Sequence, residues 1–93
     1  MRSYLIPVGT SQKSFGCKAV VDGPTPDGTY YLYSYNTMVM SACGQKFTRH
    51  WSGYSATTMR HIRSFIGGMV FTKTMWESMP LGKPMTYKEI CGN

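Results

Sequence analysis

The sequence has little negative charge. Its 93 residues include four Asp+Glu against ten Lys+Arg, which gives a formal net charge of +6 with both histidines neutral. So few carboxylates argue against a two-metal nuclease, since that chemistry needs several of them converging on one site. The excess of cations favours an anionic partner, such as nucleic acid, a ribonucleoprotein or an acidic protein patch. A basic surface that serves only solubility is an equal alternative.

Cysteine is also scarce. The three cysteines are widely spaced and include no Cys-x-x-Cys pair: Cys17, Cys43 and Cys91. This spacing supports neither a zinc ribbon nor a thioredoxin-type site, and we expect no metal and no cofactor. The odd number predicts free thiols in a reducing cytoplasm. Cys17 and Cys43 fall in strand-like runs and are expected in the core, whereas Cys91 is expected to be exposed.

Signatures of catalysis and of membrane insertion are missing. The chain has no phosphate-binding loop, no Gly-x-Ser-x-Gly elbow and no His-Glu-x-x-His motif. It also has no secretory signal core and no run near the roughly 18 apolar residues of a membrane span. The length fits a single domain over residues 1–93. Such a domain buries only roughly 60–65% of its unfolded surface, so a face or groove is favoured over a buried catalytic cavity.

Runs of β-branched and aromatic residues predict the strands, which we place at residues 3–8, 15–21, 29–42, 46–51 and 69–76. Pro7 makes the first of them an edge strand or a strand end, because proline lacks a ladder donor. The run 29–42 is long for so small a domain, and a bend or bulge is expected at residues 34–36. Residues 86–93 predict a single helical turn or a strand fragment.

The stretch YSATTMRHIRSF, residues 54–65, predicts the main helix, over about 57–66. Ser55 or Thr57 is expected to cap it, and Gly67-Gly68 to end it. An apolar stripe should face the sheet, and the opposite side should face solvent; the stripe comprises Met59, Ile62, Phe65 and Ile66, and the solvent side Arg60, Arg63 and Ser64. The predicted fold is therefore α+β, a small antiparallel sheet of four to six strands with one main helix.

The candidate binding residues are tyrosines and cations. Tyr31, Tyr33 and Tyr35 are expected on one strand face, flanked by Lys46 and Arg49, and Arg60 and Arg63 are neighbours on the helix. An exposed tyrosine platform stacks bases at roughly 1–3 kcal/mol each, and tyrosine with arginine equally suits a protein interface. The alternative is a sheet covered on both faces, in which the tyrosines build the core.

Two histidines offer the only acid–base chemistry that the sequence suggests. His50 and His61 are candidates for a general acid/base pair in metal-independent cleavage of a phosphodiester. The alternative is a pair of isolated histidines, one in a strand and one at the border of the helix, because no spacing motif links them.

Residues 33–66 contain a Ser-Tyr-x-Thr strand, a short hairpin and an aromatic-Ser-x-Thr-Thr-x-x-His-Ile helix start; the residues of this pattern are Ser34, Tyr35, Thr37, Tyr54, Ser55, Thr57, Thr58, His61 and Ile62. This pattern resembles a family of small phage-encoded proteins of unknown function. The resemblance implies a phage or prophage protein in a bacterial cytoplasm. It implies no particular activity, because the family has no established one. The motif also predicts a structural clasp of Tyr35, Thr37, Thr57, Thr58 and His61, in which His61 bonds Tyr35 or Ser34.

The expected function is binding without turnover. By analogy with other small phage proteins, we expect an inhibitor of a bacterial defence system, similar to an anti-CRISPR protein, that docks on a host protein or ribonucleoprotein. Its contacts would come from Arg60, Arg63, Arg49 and Lys46. The first alternative is a module that binds nucleic acid directly with these cations and the tyrosines. The second is a small nuclease that uses His50 and His61.

Overall fold

A computed structural model describes residues 2–5 and 18–92 of the chain. The described residues form six strands, which are β1 (Arg2–Tyr4), β2 (Ala19–Asp22), β3 (Thr29–Ser34), β4 (Thr37–Cys43), β5 (Lys46–Arg49) and β6 (Met85–Thr86). They also form three helices, which are α1 (Ala56–Phe65), α2 (Lys73–Ser78) and α3 (Tyr87–Ile90). The α+β prediction is confirmed, with α1 as the longest helix.

The sheet is an antiparallel meander. Its six strands lie in the order of the chain, from β1 to β6, and each pairs with its neighbours in an antiparallel manner. Two-residue turns join β3 to β4 and β4 to β5, and a turn that short can join only antiparallel strands. The connection from β5 to β6 is long and contains α1 and α2. The first strand is an edge strand, as expected, but residues 6–8 and 15–17 of the two predicted N-terminal strands lie outside the described residues.

The long run 29–42 folds as two strands, not one bent strand. Tyr35 and Asn36 form a two-residue turn between β3 and β4, with φ of 51° and 68°. Positive φ at both central residues is what a type I′ hairpin turn requires. Tyrosine is unusual in that conformation, so the sequence indicated only a bend. Tyr35 therefore leaves the strand face on which it was expected beside Tyr31 and Tyr33.

The strand register separates two faces of the sheet. Leu32, Met40 and Arg49 are direct neighbours across β3, β4 and β5 and lie on one face. All three helices add side chains to the core on this face, through Met59, Ile62, Ile66, Trp76 and Ile90. The opposite face, called the outer face below, carries Val20, Tyr31, Tyr33, Met38, Ser41 and Thr48, and none of these helices packs on it.

Helix α1 agrees with the prediction in its position and in its apolar stripe. Ser55 is the cap, and its side chain accepts a hydrogen bond from the Thr58 amide at 3.0 Å. The prediction that Ser55 or Thr57 caps the helix is therefore confirmed for Ser55, and Thr57 lies inside the first turn. Ser64 was expected in solvent but is buried, because the buried side of α1 extends beyond the apolar stripe through His61 to Ser64.

The predicted strand at 69–76 is wrong, because these residues lead into helix α2. Thr72 caps this helix, with its side chain accepting from the Met75 amide at 3.2 Å. The alternation of Val70, Thr72 and Thr74 suggested a strand, but Phe71 and Trp76 are the residues that the core buries. For residues 86–93, a strand fragment or a single helical turn was predicted. Each is correct in part, since the short strand β6 is followed directly by the single turn of α3.

Two of the three cysteines lie among the described residues, and both are exposed. Cys43 was expected in the core but is exposed, because it ends β4 at the turn into β5. Cys91 is exposed as predicted, and Cys17 lies outside the described residues.

Among residues 2–5 and 18–92, the structure has no helix with the length and apolar content needed to cross a membrane.

Candidate binding surface

A buried polar contact joins the β3–β4 hairpin to helix α1. The Ser34 Oγ lies 2.8 Å from the His61 Nδ1 and 3.0 Å from the Thr58 Oγ1. All three residues are at most 4% exposed. A buried polar group needs a partner, and these three satisfy one another across the strand–helix interface. We call this group the clasp; it fixes the hairpin relative to the helix.

Some residues predicted for the clasp lie outside it. Tyr35 is 51% exposed and touches His61 through its ring, with centroids 5.9 Å apart, while Ser34 makes the hydrogen bond. Thr37 is exposed at the first residue of β4, and Thr57 is half-buried in the first turn of α1. The hairpin turn explains this difference, since it places Ser34 beneath the helix and projects Tyr35 outward.

An exposed basic and aromatic surface lies directly above the clasp. The Lys18 Nζ is 5.8 Å from the centroid of the Tyr35 ring, within the range of a cation–π contact. Lys18 is held there by the backbone, because its carbonyl accepts a hydrogen bond from the Tyr35 amide at 2.9 Å. Arg60 is exposed on α1 one residue before His61. We call Lys18, Tyr35 and Arg60 the hairpin-tip patch.

Electrostatics support the proximity of these groups. The pKa of His61 is lowered from 6.5 by burial, and further by the positive charges of Lys18 and Arg60. Both cations therefore act on the same buried ring from the exposed side. A neutral His61 keeps one ring nitrogen as an acceptor or a donor toward Ser34 without adding a third positive charge.

The carboxylates of the described residues lie away from this patch. Asp22 and Asp27 are toward the other end of β2 and β3, and β3 alone spans six residues, or roughly 20 Å. Glu77 belongs to α2, and Glu89 belongs to α3, where it accepts hydrogen bonds from Thr86. None of the four acidic side chains within residues 2–5 and 18–92 belongs to the patch, which is therefore electropositive.

Arg49 is not an exposed contact, so its predicted role is wrong. The residue is 7% exposed, and its guanidinium donates hydrogen bonds to five backbone carbonyls, those of Trp51, Ser52, Trp76, Glu77 and Met79. It also stacks over the Trp76 ring, 4.6 Å from the centroid. Because these carbonyls lie on the segment after β5 and at the end of α2, Arg49 holds that helix to the sheet.

The other predicted cations are dispersed. Arg63 is half-buried, and its Nε donates to the Phe71 carbonyl at 2.9 Å, so the expectation that it points only to solvent is wrong. Lys46 is exposed at the start of β5, where its charge helps to lower the pKa of Glu89. Of the four cations that were expected to act together, only Arg60 belongs to the hairpin-tip patch.

Tyr31 and Tyr33 lie together on the outer face and are half-buried. The ring of Tyr31 contacts His50, with centroids 6.4 Å apart, and the His50 Nε2 lies 2.8 Å from the Ser41 Oγ. This aromatic group is separate from the hairpin-tip patch, because Tyr35 and His61 lie at the hairpin end and on the helix side.

His50 and His61 lie on opposite faces of the sheet, so they do not form an acid–base pair. His50 bonds Ser41 on the outer face, whereas His61 is buried beneath the hairpin on the helix face. Within the described part of the chain, no group of three His, Cys, Asp or Glu side chains is arranged to hold a metal ion.

Lys18 is the member of the patch that sequence reasoning missed. It was placed within a strand at 15–21, and no motif marked it. The hairpin register could have identified it, since a turn at residues 35–36 places the end of β3 beside the start of β2. If that turn is not predicted, no pattern in the sequence connects Lys18 with Tyr35.

The fold and the patch define a small α+β domain with an electropositive, aromatic surface at one hairpin tip. The chain belongs to a family of unknown function, DUF8033, whose family model matches residues 4–78. No curated protein and no solved structure matches the chain.

Proposed function

We propose that this protein binds a partner without catalysing a reaction, and that it docks through the hairpin-tip patch. The partner is a bacterial host protein or ribonucleoprotein that offers an acidic patch or exposed nucleic acid. The setting that best fits the resemblance in residues 33–66 is a phage-encoded inhibitor of a host defence system, similar to an anti-CRISPR protein. A net charge of +6 supports an anionic partner.

The observation that carries the proposal is the geometry of the patch. The exposed Tyr35 ring lies near the Lys18 Nζ and contacts His61, whose pKa is lowered by burial and by the charges of Lys18 and Arg60. The buried clasp of Ser34, Thr58 and His61 fixes the surface beneath it. Tyrosine and arginine are enriched among residues that dominate binding energy at interfaces. A surface that is already ordered loses less conformational entropy on binding, which favours affinity.

The sign of the charge limits the mode of inhibition. A protein that imitates DNA must be acidic, and this chain has ten cationic residues against four acidic ones. The inhibitor would therefore have to grip an acidic protein patch, a guide RNA or bound nucleic acid. Arginine suits each of these, since its planar guanidinium pairs with carboxylate and with phosphate.

Direct binding of nucleic acid is the second candidate function, and the outer face favours it. Tyr31 and Tyr33 lie two residues apart on one strand, roughly 7 Å from each other, so two bases could stack on their rings. The rings are half-buried, which leaves less area for stacking than a fully exposed platform would. We rank this function second for that reason.

The proposal is tested by recovering partners from a lysate of the bacterial host, with and without nuclease treatment. The tagged wild-type protein is compared with Arg60→Glu and with Lys73→Glu, a control that reverses an exposed cation outside the patch. We expect one host protein or ribonucleoprotein to be recovered under both treatments by wild type and Lys73→Glu, and lost with Arg60→Glu.

Two other outcomes would change the conclusion. Recovery that nuclease abolishes would support the direct nucleic-acid function. Equal recovery by all three proteins would show that the hairpin-tip patch is not the docking surface, and the proposal would be abandoned.

A further inference from the structure

A cleft of about 360 Å³ lies at the end of the sheet away from the hairpin-tip patch. Its lining residues come from three parts of the chain, namely the β4–β5 turn and β5 (Gly44, Gln45, Phe47), the segment after α1 (Met69) and the β6–α3 junction (Thr86, Tyr87, Lys88). The volume is within the lower range of sites that hold small ligands or single anchoring side chains.

Hydrogen bonds within the protein hold the walls of the cleft in place, so the walls do not depend on a bound ligand. The Tyr87 hydroxyl donates to the Val70 carbonyl at 2.5 Å, which joins α3 to the segment after α1. Thr86 caps α3 through a reciprocal pair of bonds with Glu89, of 2.9 and 3.2 Å. The cleft is therefore a fixed feature of this fold.

The lining combines an apolar floor with a cationic rim. Phe47 and Met69 supply apolar surface, and Met69 is 37% exposed. Lys88 is exposed at the rim, and Lys46 and Lys83 are close enough to lower the pKa of Glu89. Three lysines against the single charge of Glu89 leave the rim with a net positive charge, which suits an anion.

We propose that this cleft binds a large hydrophobic side chain from an acidic peptide segment of a partner protein. The volume accommodates one aromatic or aliphatic anchor, and the lysines complement carboxylates on either side of that anchor. Anchors of this kind, seated in a pocket and flanked by charge contacts, are the usual way in which short peptides are recognised.

This site is distinct from the hairpin-tip patch. The β3–β4 and β4–β5 turns lie at opposite ends of β4, whose seven residues span roughly 20 Å. One wall of the cleft, at residues 86–88, also lies beyond the segment 4–78 that the family model matches. The matched segment therefore includes four of the seven lining residues, and the cleft can be tested without disturbing the patch.

The test is a titration of the ¹⁵N-labelled protein, followed by NMR, with the blocked peptide acetyl-Asp-Asp-Phe-Asp-Asp-amide. We expect shifts of the amide signals of Gly44, Gln45 and Lys88. Replacement of the peptide's Phe by Ala should weaken binding at least about tenfold, because burial of a phenyl ring is the main favourable contribution. Replacement of its Asp residues by Lys should abolish binding, since the rim is cationic.

Two variants of matched chemistry locate the site. Met69→Trp should fill the cleft and weaken binding of the Phe peptide at least about tenfold, since the anchor then loses its apolar contacts. Val70→Trp adds the same ring at the exposed neighbour outside the lining and should leave the affinity unchanged. Circular dichroism and melting curves confirm that both variants are folded.

Other results would overturn the proposal. These are shifts that occur elsewhere in the protein, equal affinity for the Phe and Ala peptides, equal affinity for the Asp and Lys peptides, or unchanged binding by folded Met69→Trp. An absence of shifts at millimolar peptide would do the same. None of these results depends on the hairpin-tip patch, so the docking function proposed above is judged separately.

Discussion

Arg49 shows how a cation can belong to the interior of a basic protein. Its guanidinium is almost fully buried, and backbone carbonyls at the end of α2 and after β5 accept its hydrogen bonds. The end of a helix carries partial negative charge, which partly offsets the loss of hydration. The sequence pattern placed Arg49 on the same face as Phe47 and Trp51, but composition alone favoured a surface contact because arginine is seldom buried.

We expect Arg49→Met to destabilise the fold without a specific effect on docking. The change leaves several buried carbonyls without donors, and we expect a loss of about 3 kcal/mol or more in the free energy of unfolding. Urea denaturation measures it. Lys46→Met on the same strand is the control, and it should change stability by less than about 0.5 kcal/mol because Lys46 is exposed. Similar stabilities of the two variants would contradict the structural role.

His61 makes stability depend on pH. Burial and the charges of Lys18 and Arg60 lower its pKa from 6.5 in the folded protein, so the unfolded chain binds the proton more readily. The unfolding free energy should therefore be constant above about pH 7 and fall as the pH drops through 6.5, by up to about 1.4 kcal/mol per pH unit. Urea midpoints measured between about pH 7.5 and 5 check this slope.

The matched variants are His61→Gln and His50→Gln. His61→Gln should lower stability at neutral pH, because the side chain is buried against Ser34, and should remove most of the slope below pH 6.5. His50 also has a pKa lowered by burial, but it is exposed on the outer face, so its variant should retain most of the slope. An unaltered slope in His61→Gln would assign the effect to another group.

At the scale of elements, the hairpin turn at residues 35–36 decides where the patch lies. The sequence predicted the strands on both sides of it and a bend between them. It did not predict a two-residue turn, because Tyr-Asn is not one of the glycine-containing pairs that normally signal one. A tyrosine at φ 51° is held in a costly conformation, which projects its ring from the end of the sheet.

We expect Tyr35→Asn to separate docking from folding. Asparagine tolerates positive φ better than tyrosine, so the turn should form and the unfolding free energy should change by less than about 1 kcal/mol. Partner binding should weaken, since the exposed ring is lost. The measurements are urea denaturation and titration of the partner recovered from lysate.

The control for the turn is Asn36→Gly. This variant favours the same I′ turn and retains Tyr35, so docking should be unchanged. Equal binding by wild type, Tyr35→Asn and Asn36→Gly would show that the tyrosine ring makes no contact with the partner.

Helix α2 shows why the local sequence pattern predicted the wrong secondary structure for residues 69–76. Residues 69–76 alternate well enough for a strand, and β-branched residues favour that state. The structure instead uses Thr72 as a cap and buries Phe71, Trp76 and Met79. Trp76 also donates to the Gly53 carbonyl at 2.8 Å and lies beneath Arg49. These contacts are distant in sequence, so tertiary packing overrides propensity here and no local signal reports it.

At the scale of the whole molecule, charge is arranged in separate places. The sequence shows the excess of cations directly, and its patterns predicted the helix that carries Arg60 and the strand–helix contact at His61. It did not predict that Arg49 and Arg63 serve internal contacts, or that Lys18 joins Arg60 at the hairpin. Those assignments depend on which faces the meander brings together, and a net charge contains no such information.

Docking through the hairpin-tip patch should depend on the position of positive charge and not on its total. Arg60→Gln removes one positive charge from the hairpin-tip patch, and Lys73→Gln removes one from the start of α2, outside both the patch and the lining of the cleft. Both variants have the same net charge. We expect the first to weaken partner binding and to reduce its dependence on salt, because exposed charges act over about one Debye length of 10 Å at 0.1 M salt. The second should bind as wild type does, and both should retain their stability within about 1 kcal/mol, since both side chains are exposed. Binding is measured over a series of salt concentrations. Equal losses in the two variants would mean that only the total charge matters, and the hairpin-tip patch would then have no specific role.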